Sequence, residues 1–153
     1  MNFLFKLFAK QIVIDAHPSR FTFTCLKDNF NLSIATFVYI DNSQAKSSFI
    51  AIGEEVPNNY LLEKPDIYRI NVFDLDVPLP PKTTFSRESF FQVIFEYGFG
   101  KAYEKDILPK LRPIAFILGA DRFNNYFSNP RNELRILAKR GGAKEVIFDK
   151  SEL

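Results

Sequence analysis

Five consecutive apolar residues, Ile114 to Leu118 (IAFIL), stand between Pro113 and Gly119. A strand without polar alternation needs cover on both faces, so it belongs inside a sheet with helices packed on it. The flanking sequence supplies those helices. Phe90, Phe91, Ile94, Phe95 and Phe99 recur at helical spacing behind Ser86, an N-cap residue followed by Arg87, Glu88 and Ser89 in the first turn. That predicts a helix from Ser86 to about Tyr103, with Gly98 or Gly100 as the places where it would break. Pro130 opens a second helix over Arg131 to Arg140, with Leu134, Leu137 and Ala138 inward, and Gly141 and Gly142 stop it. Glu145 to Phe148 then reads as a last strand. Helix, strand, helix, strand is the order of parallel strands joined by helices.

The first half of the chain reads as strands alone. Gln11 to Lys27, QIVIDAHPSRFTFTCLK, is a hairpin: Ile12, Val13 and Ile14 form a β-branched run, and Phe21, Phe23 and Cys25 alternate with Thr22, Thr24 and Leu26. Asp15, Ala16, His17, Pro18 and Ser19 lie between the two strands. Leu32 to Ile40 (LSIATFVYI) predicts a third strand, Ser48 to Ile52 a fourth ended by Gly53, and Ile67 to Val77 a further extended stretch stopped by Pro78, Pro80 and Pro81. Together these elements predict an α/β fold, a five-stranded mixed sheet with flanking helices in one domain over residues 11–153. No repeat or flexible linker divides it.

The chain is 153 residues long with a net charge of +2, which gives no reason to propose a nucleic-acid partner. Its single cysteine, Cys25, has no partner for a disulfide and no metal-ligand spacing. The outlier is phenylalanine: 18 Phe and no Trp. Such a count fits a Phe-packed core, with a surplus on Phe90, Phe91, Phe95 and Phe99 that could form a partner surface. The N-terminal MNFLFKLFAK is too short to span a bilayer. Wound as a helix, it puts Phe3, Leu4, Leu7 and Phe8 on one apolar face, the pattern of an interfacial membrane contact over residues 1–10, though a turn packed on the core fits as well.

Several strings, taken in order, resemble the first domain of the MreB filament proteins, within the actin-like ATPase superfamily. IVIDAHPSRFTFTCL is similar to the first phosphate hairpin of that family, in which Ile-Asp precedes a Gly-Thr turn. LSIATFVYID and SFIAIGEE resemble its next two strands, and LRPIAFILGA resembles the strand entering its Pro-Thr-Gly loop. RNELRILAKRGGAKEVIFDKSEL resembles its later helix, Gly-Ala-Arg-Glu-Val turn and strand. The resemblance implies an actin or RNase H type of sheet and, for a complete member, ATP binding between two domains.

The departures from the family pattern imply that this activity is lost. The glycine and hydroxyl residue that follow the aspartate let backbone N–H groups approach phosphates, and here His17 and Pro18 stand in their places. Proline has no N–H. Counting back from GAKEV puts Pro130 where the family carries the glutamate that positions the attacking water. A chain of this extent is also expected to lack the opposing hairpin and the adenosine pocket of a second domain.

Asp15 is the best single residue for chemistry, since a carboxylate on a central strand can hold a divalent ion. Its simpler role is to cap the hairpin turn near His17 or Ser19. Asp15 with Asp121 could approximate the metal-binding carboxylates of an RNase H-like nuclease, with Asp74 and Asp76 in a proline-rich region as weaker additions. His17, the only histidine, has no nucleophile or ligand set at recognisable spacing. Arg131, Arg135, Lys139, Arg140 and Lys144 make one basic concentration, interleaved with Glu133 and Glu145 as on a solvated helix face.

The expectation is therefore a protein without catalytic residues, metal or cofactor, and without bound nucleotide. It would be cytoplasmic, with peripheral contact at the inner face of the membrane, and would bind a filament or envelope component in cytoskeleton, cell-shape or envelope assembly. The alternatives are the nuclease and an autonomous small-ligand or assembly module.

Overall fold

Thr36 divides the predicted third strand in two and sends its halves into different sheets. The computed structural model describes residues 11–25, 28–53, 64–105 and 113–148. Within them β1 (Gln11–His17), β2 (Arg20–Cys25) and β3 (Phe30–Ala35) form an antiparallel meander. Next come β4 (Phe37–Asp41), β5 (Ser48–Ile52) and β6 (Ile67–Asn71), then helix α1 (Arg87–Glu104), β7 (Ile114–Leu118), helix α2 (Pro130–Gly141) and β8 (Glu145–Ile147). A five-stranded mixed sheet runs in the order β3-β2-β1-β7-β8, with β1–β7 and β7–β8 parallel. This is the expected sheet. A second sheet, β5-β4-β6, is antiparallel and was not expected from the sequence. The stretch expected to be extended to Val77 is a strand only as far as Asn71.

Both helices begin as their sequences predict. The Ser86 hydroxyl accepts the Ser89 N–H at 3.2 Å, and the Asn129 side chain accepts the Asn132 N–H at 3.2 Å, with Pro130 in the first turn where its missing N–H costs nothing. Helix α1 passes through Gly98 and Gly100 unbroken. Gly98 lies against β2, where an added Cβ would be 2.3 Å from Phe23 Cζ.

Helices α1 and α2 pack on one another, and the sheet contributes Ile12, Ile14, Ala16, Phe21 and Phe23 to the core they share. The rings interlock: Phe21 meets Phe95 edge-on at 5.5 Å, Phe23 meets Phe99 at 5.8 Å, and Phe73 stacks on Phe91 at 4.8 Å. Edge-on and offset contacts of this kind add about 0.5–1.5 kcal/mol each beyond the area they bury. Phe90, Phe91, Phe95 and Phe99 are all buried, at 5 % exposure or less. The partner surface expected of these four is thus corrected. They belong to the core because β2, the segment after β6 and the 3-10 turn Ala120–Phe123 bring further rings to meet them.

The apolar run of β7 is buried from Ile114 to Ala115 and at Ile117, but Leu118 is half exposed at the strand end. Phe3, Leu4, Leu7 and Phe8 lie outside the described residues. Among those described, no helix is long and apolar enough to cross a membrane.

Candidate functional site

The tip of the β1–β2 hairpin is a two-residue turn, Pro18 and Ser19, closed by the paired His17 and Arg20. Turns this short favour residues at positive φ, typically Asn-Gly, whose twist matches the strands. Neither Pro18 nor Ser19 has a positive φ. Side chains brace the turn instead. His17 Nδ1 accepts the Ser19 backbone N–H at 3.1 Å and lies 2.7 Å from Ser19 Oγ.

Thr36 holds the same turn from the other side. Its hydroxyl donates to Pro18 O, its N–H donates to Ser19 O at 3.1 Å, and its own carbonyl accepts the Val72 N–H at 2.9 Å. Thr36 is 2 % exposed, so these bonds form away from water, where leaving a partner unmet is expensive. The turn's polar backbone atoms are thereby spoken for: Pro18 has no N–H, the Ser19 N–H goes to His17, and both carbonyls go to Thr36.

Asp15 faces out of the sheet beside this turn, paired across the hairpin with Thr22. Arg122 Nη1 donates to its Oδ1 at 2.7 Å and to Ala16 O at 3.1 Å. Gly119 makes that approach available. It takes φ +80 after β7, and a Cβ there would stand 2.6 Å from Ala16 O. The chain therefore turns tightly into the 3-10 turn and returns Arg122 to the end of β1. A guanidinium, not a second carboxylate, occupies the neighbourhood of Asp15.

Asp15, His17, Ser19, Arg20, Thr22 and Arg122 line one polar cleft of about 580 Å³. Asp121 lines another, with Leu118, Asn129 and Arg131. Asp74 and Asp76 line a third, on the side of the turn that carries Phe73 and Tyr126, and there they meet His17, Pro18 and Ser19. Asp15 and Asp121, the pair considered for a metal-dependent nuclease, thus line different clefts. The 3-10 turn presents Arg122 to the hairpin and leaves Asp121 in the neighbouring cleft. No group of three or more His, Cys, Asp or Glu that could hold a metal ion occurs among the described residues.

Pro130 sits at the start of α2, where the sequence predicts a helix to open. The basic stretch is divided. Arg131 and Arg135 lie over the Phe148 ring at 5.6 and 5.1 Å, while Arg140 lines a groove between the helices. Thr36, Gly119 and Arg122 are the site residues that sequence reasoning missed. Gly119 alone gave a signal, as the residue that ended an apolar run.

No protein-family model matches the chain, and no curated protein matches it in sequence. Solved structures do match it in fold. MreB5 of Spiroplasma citri bound to ADP superposes with a TM-score of 0.62 at 15% identity, over 93% of this chain and 38% of that one. MreB 5 of Spiroplasma citri bound to AMPPNP gives 0.61 at 16% identity, over 92% and 38%. The chain thus spans less than two-fifths of the length of these neighbours. Its five-stranded mixed sheet and flanking helices have the fold of the actin-like ATPases, here as a single small domain.

Proposed function

We propose that this chain is a non-catalytic, actin-like protein-interaction module of cytoskeleton, cell-shape or envelope assembly, working on the cytoplasmic side of the membrane without hydrolysing ATP. The actin-like fold supports a cytoskeletal type of relative. The observation that carries the non-catalytic reading is the closed hairpin tip. A phosphate-binding turn offers unengaged backbone N–H groups, whereas here Pro18 has none and the Ser19 N–H is bonded to His17. Asp15, the residue that would assist a metal, is engaged by Arg122.

Calorimetry with Mg-ATP tests the reading directly. The expected result is no heat of binding, and micromolar, magnesium-dependent binding would overturn it. A pull-down from the native cell should recover a filament or envelope component. Liposome flotation with and without residues 1–10 tests the membrane contact, and equal recovery of both forms rejects it.

A further inference from the structure

His17 is the only histidine of the chain, and it lines two clefts at once. Asp74, Asp76 and Tyr126 share one of them with it, and Asp15, Arg20 and Arg122 the other. Carboxylates and guanidinium groups thus surround the ring together, and its contact with Ser19 is what a change in its own charge acts on. Nδ1 takes the Ser19 N–H at 3.1 Å and stands 2.7 Å from Ser19 Oγ. These two partners differ in kind. A hydroxyl gives or accepts a hydrogen bond, but a backbone N–H only gives one, and it needs the lone pair that Nδ1 offers while the ring is neutral. Protonation of the ring turns Nδ1 into a donor. The hydroxyl can then rotate and accept, whereas the N–H is left facing another N–H.

We propose that His17 is a proton-operated catch on the hairpin tip: the neutral ring holds the Ser19 N–H, and the protonated ring releases it. Imidazole is the side chain that changes charge between about pH 5 and pH 8. The opening is confined to this one donor. Thr36 keeps Pro18 O and Ser19 O through its hydroxyl and its N–H, neither of which titrates in that range. Pro18 has no N–H to add. The released Ser19 N–H is therefore the one backbone donor that the two-residue turn can present, beside a ring that has become positively charged. A partner that engages the tip through that donor does so only when His17 is charged. The inference rests on the reading of the closed tip as inactive and adds the condition under which the closure holds.

The test is NMR of the isotope-labelled full chain from about pH 5 to about pH 8. It follows the Ser19 amide and the His17 ring, whose signals no second histidine overlaps. The Ser19 amide shift should track the ring titration with the same midpoint. Its protection from solvent exchange should fall about tenfold on protonation, the effect of losing one hydrogen bond. The amides of Thr36 and Leu137 should keep theirs. His17→Asn should hold Ser19 protected throughout, because an Asn side chain accepts the N–H two residues on and does not titrate. His17→Ala should leave it unprotected throughout. His17 is exposed, so both variants fold. A Ser19 amide that ignores the ring titration would overturn the proposal. So would full protection in His17→Ala, or protection lost at Thr36 and Leu137 together with Ser19. Mg-ATP calorimetry at about pH 8 keeps the two readings apart. ATP binding there removes the non-catalytic reading and leaves the catch, whereas an unresponsive Ser19 amide removes the catch alone.

Discussion

Asp15 and Arg122, 107 residues apart in the chain, meet at 2.7 Å on the open side of the hairpin. Both side chains are about half exposed, at 55% and 45%, so water screens the pair. Its worth lies in where it holds Arg122. A double-mutant cycle on Asp15→Asn and Arg122→Ala, read by urea unfolding, should give a coupling below about 1 kcal/mol. A coupling of several kcal/mol would mean that the pair is far less solvated than its exposure indicates.

Gly98 and Gly100 occupy the same helix and should respond oppositely to alanine. At Gly98 the new Cβ would meet Phe23 Cζ at 2.3 Å, whereas at Gly100 it would meet nothing within 4 Å. Gly98→Ala should therefore destabilise by about 1–3 kcal/mol through overpacking. Gly100→Ala should stabilise by about 0.5–1 kcal/mol from helix propensity. Thermal and urea unfolding of the two variants decide the matter.

Thr36→Val preserves the shape of a buried side chain and removes its hydroxyl. Pro18 O then loses its donor at the tip of the hairpin, which should cost about 1–3 kcal/mol. Amide exchange at Ser19 should speed up more than exchange in α2, because the loss is local to the turn.

Asp41 should show an acid-side dependence. Its carboxylate is held below the usual range by the Ser43 side chain, by the Ser43 backbone N–H at 2.8 Å, and by the charge of Lys64. A carboxyl whose folded pKa lies below its unfolded value contributes stability above about pH 4. That contribution fades as the pH falls through the folded value. The thermal midpoints of the wild type and Asp41→Asn should accordingly converge in strong acid, and carbon NMR should place the Asp41 titration below that of a free aspartate.

The parts of the fold that depend on local spacing were legible. Ser86 with the Phe90–Phe99 periodicity specified α1, and Pro130 with Leu134, Leu137 and the paired glycines specified α2, because helix starts, stops and stripes are written within a dozen residues. What escaped depended on contacts made at a distance. LSIATFVYI is uniformly strand-forming, and nothing near Thr36 announces that its N–H and hydroxyl belong to a turn 17 and 18 residues earlier. The second sheet escaped with it. The phenylalanine surplus looked excessive for one helix face, but Phe21, Phe73 and Phe123 arrive from three other segments to absorb it. At the site, the loss of N–H donors could be read from Pro18. The engagement of Asp15 could not, because Arg122 reaches it only after the tight turn at Gly119.

The position of Thr36 has a mechanical consequence. The two sheets are joined there by one continuous backbone, and the same residue grips the hairpin tip and the exit of β6. Two of the bonds of Thr36 reach Pro18 and Ser19 of the larger sheet, and the third ties it to Val72 at the end of the smaller one. Separating the two sheets at this point therefore requires breaking the bonds of Thr36 to the hairpin tip.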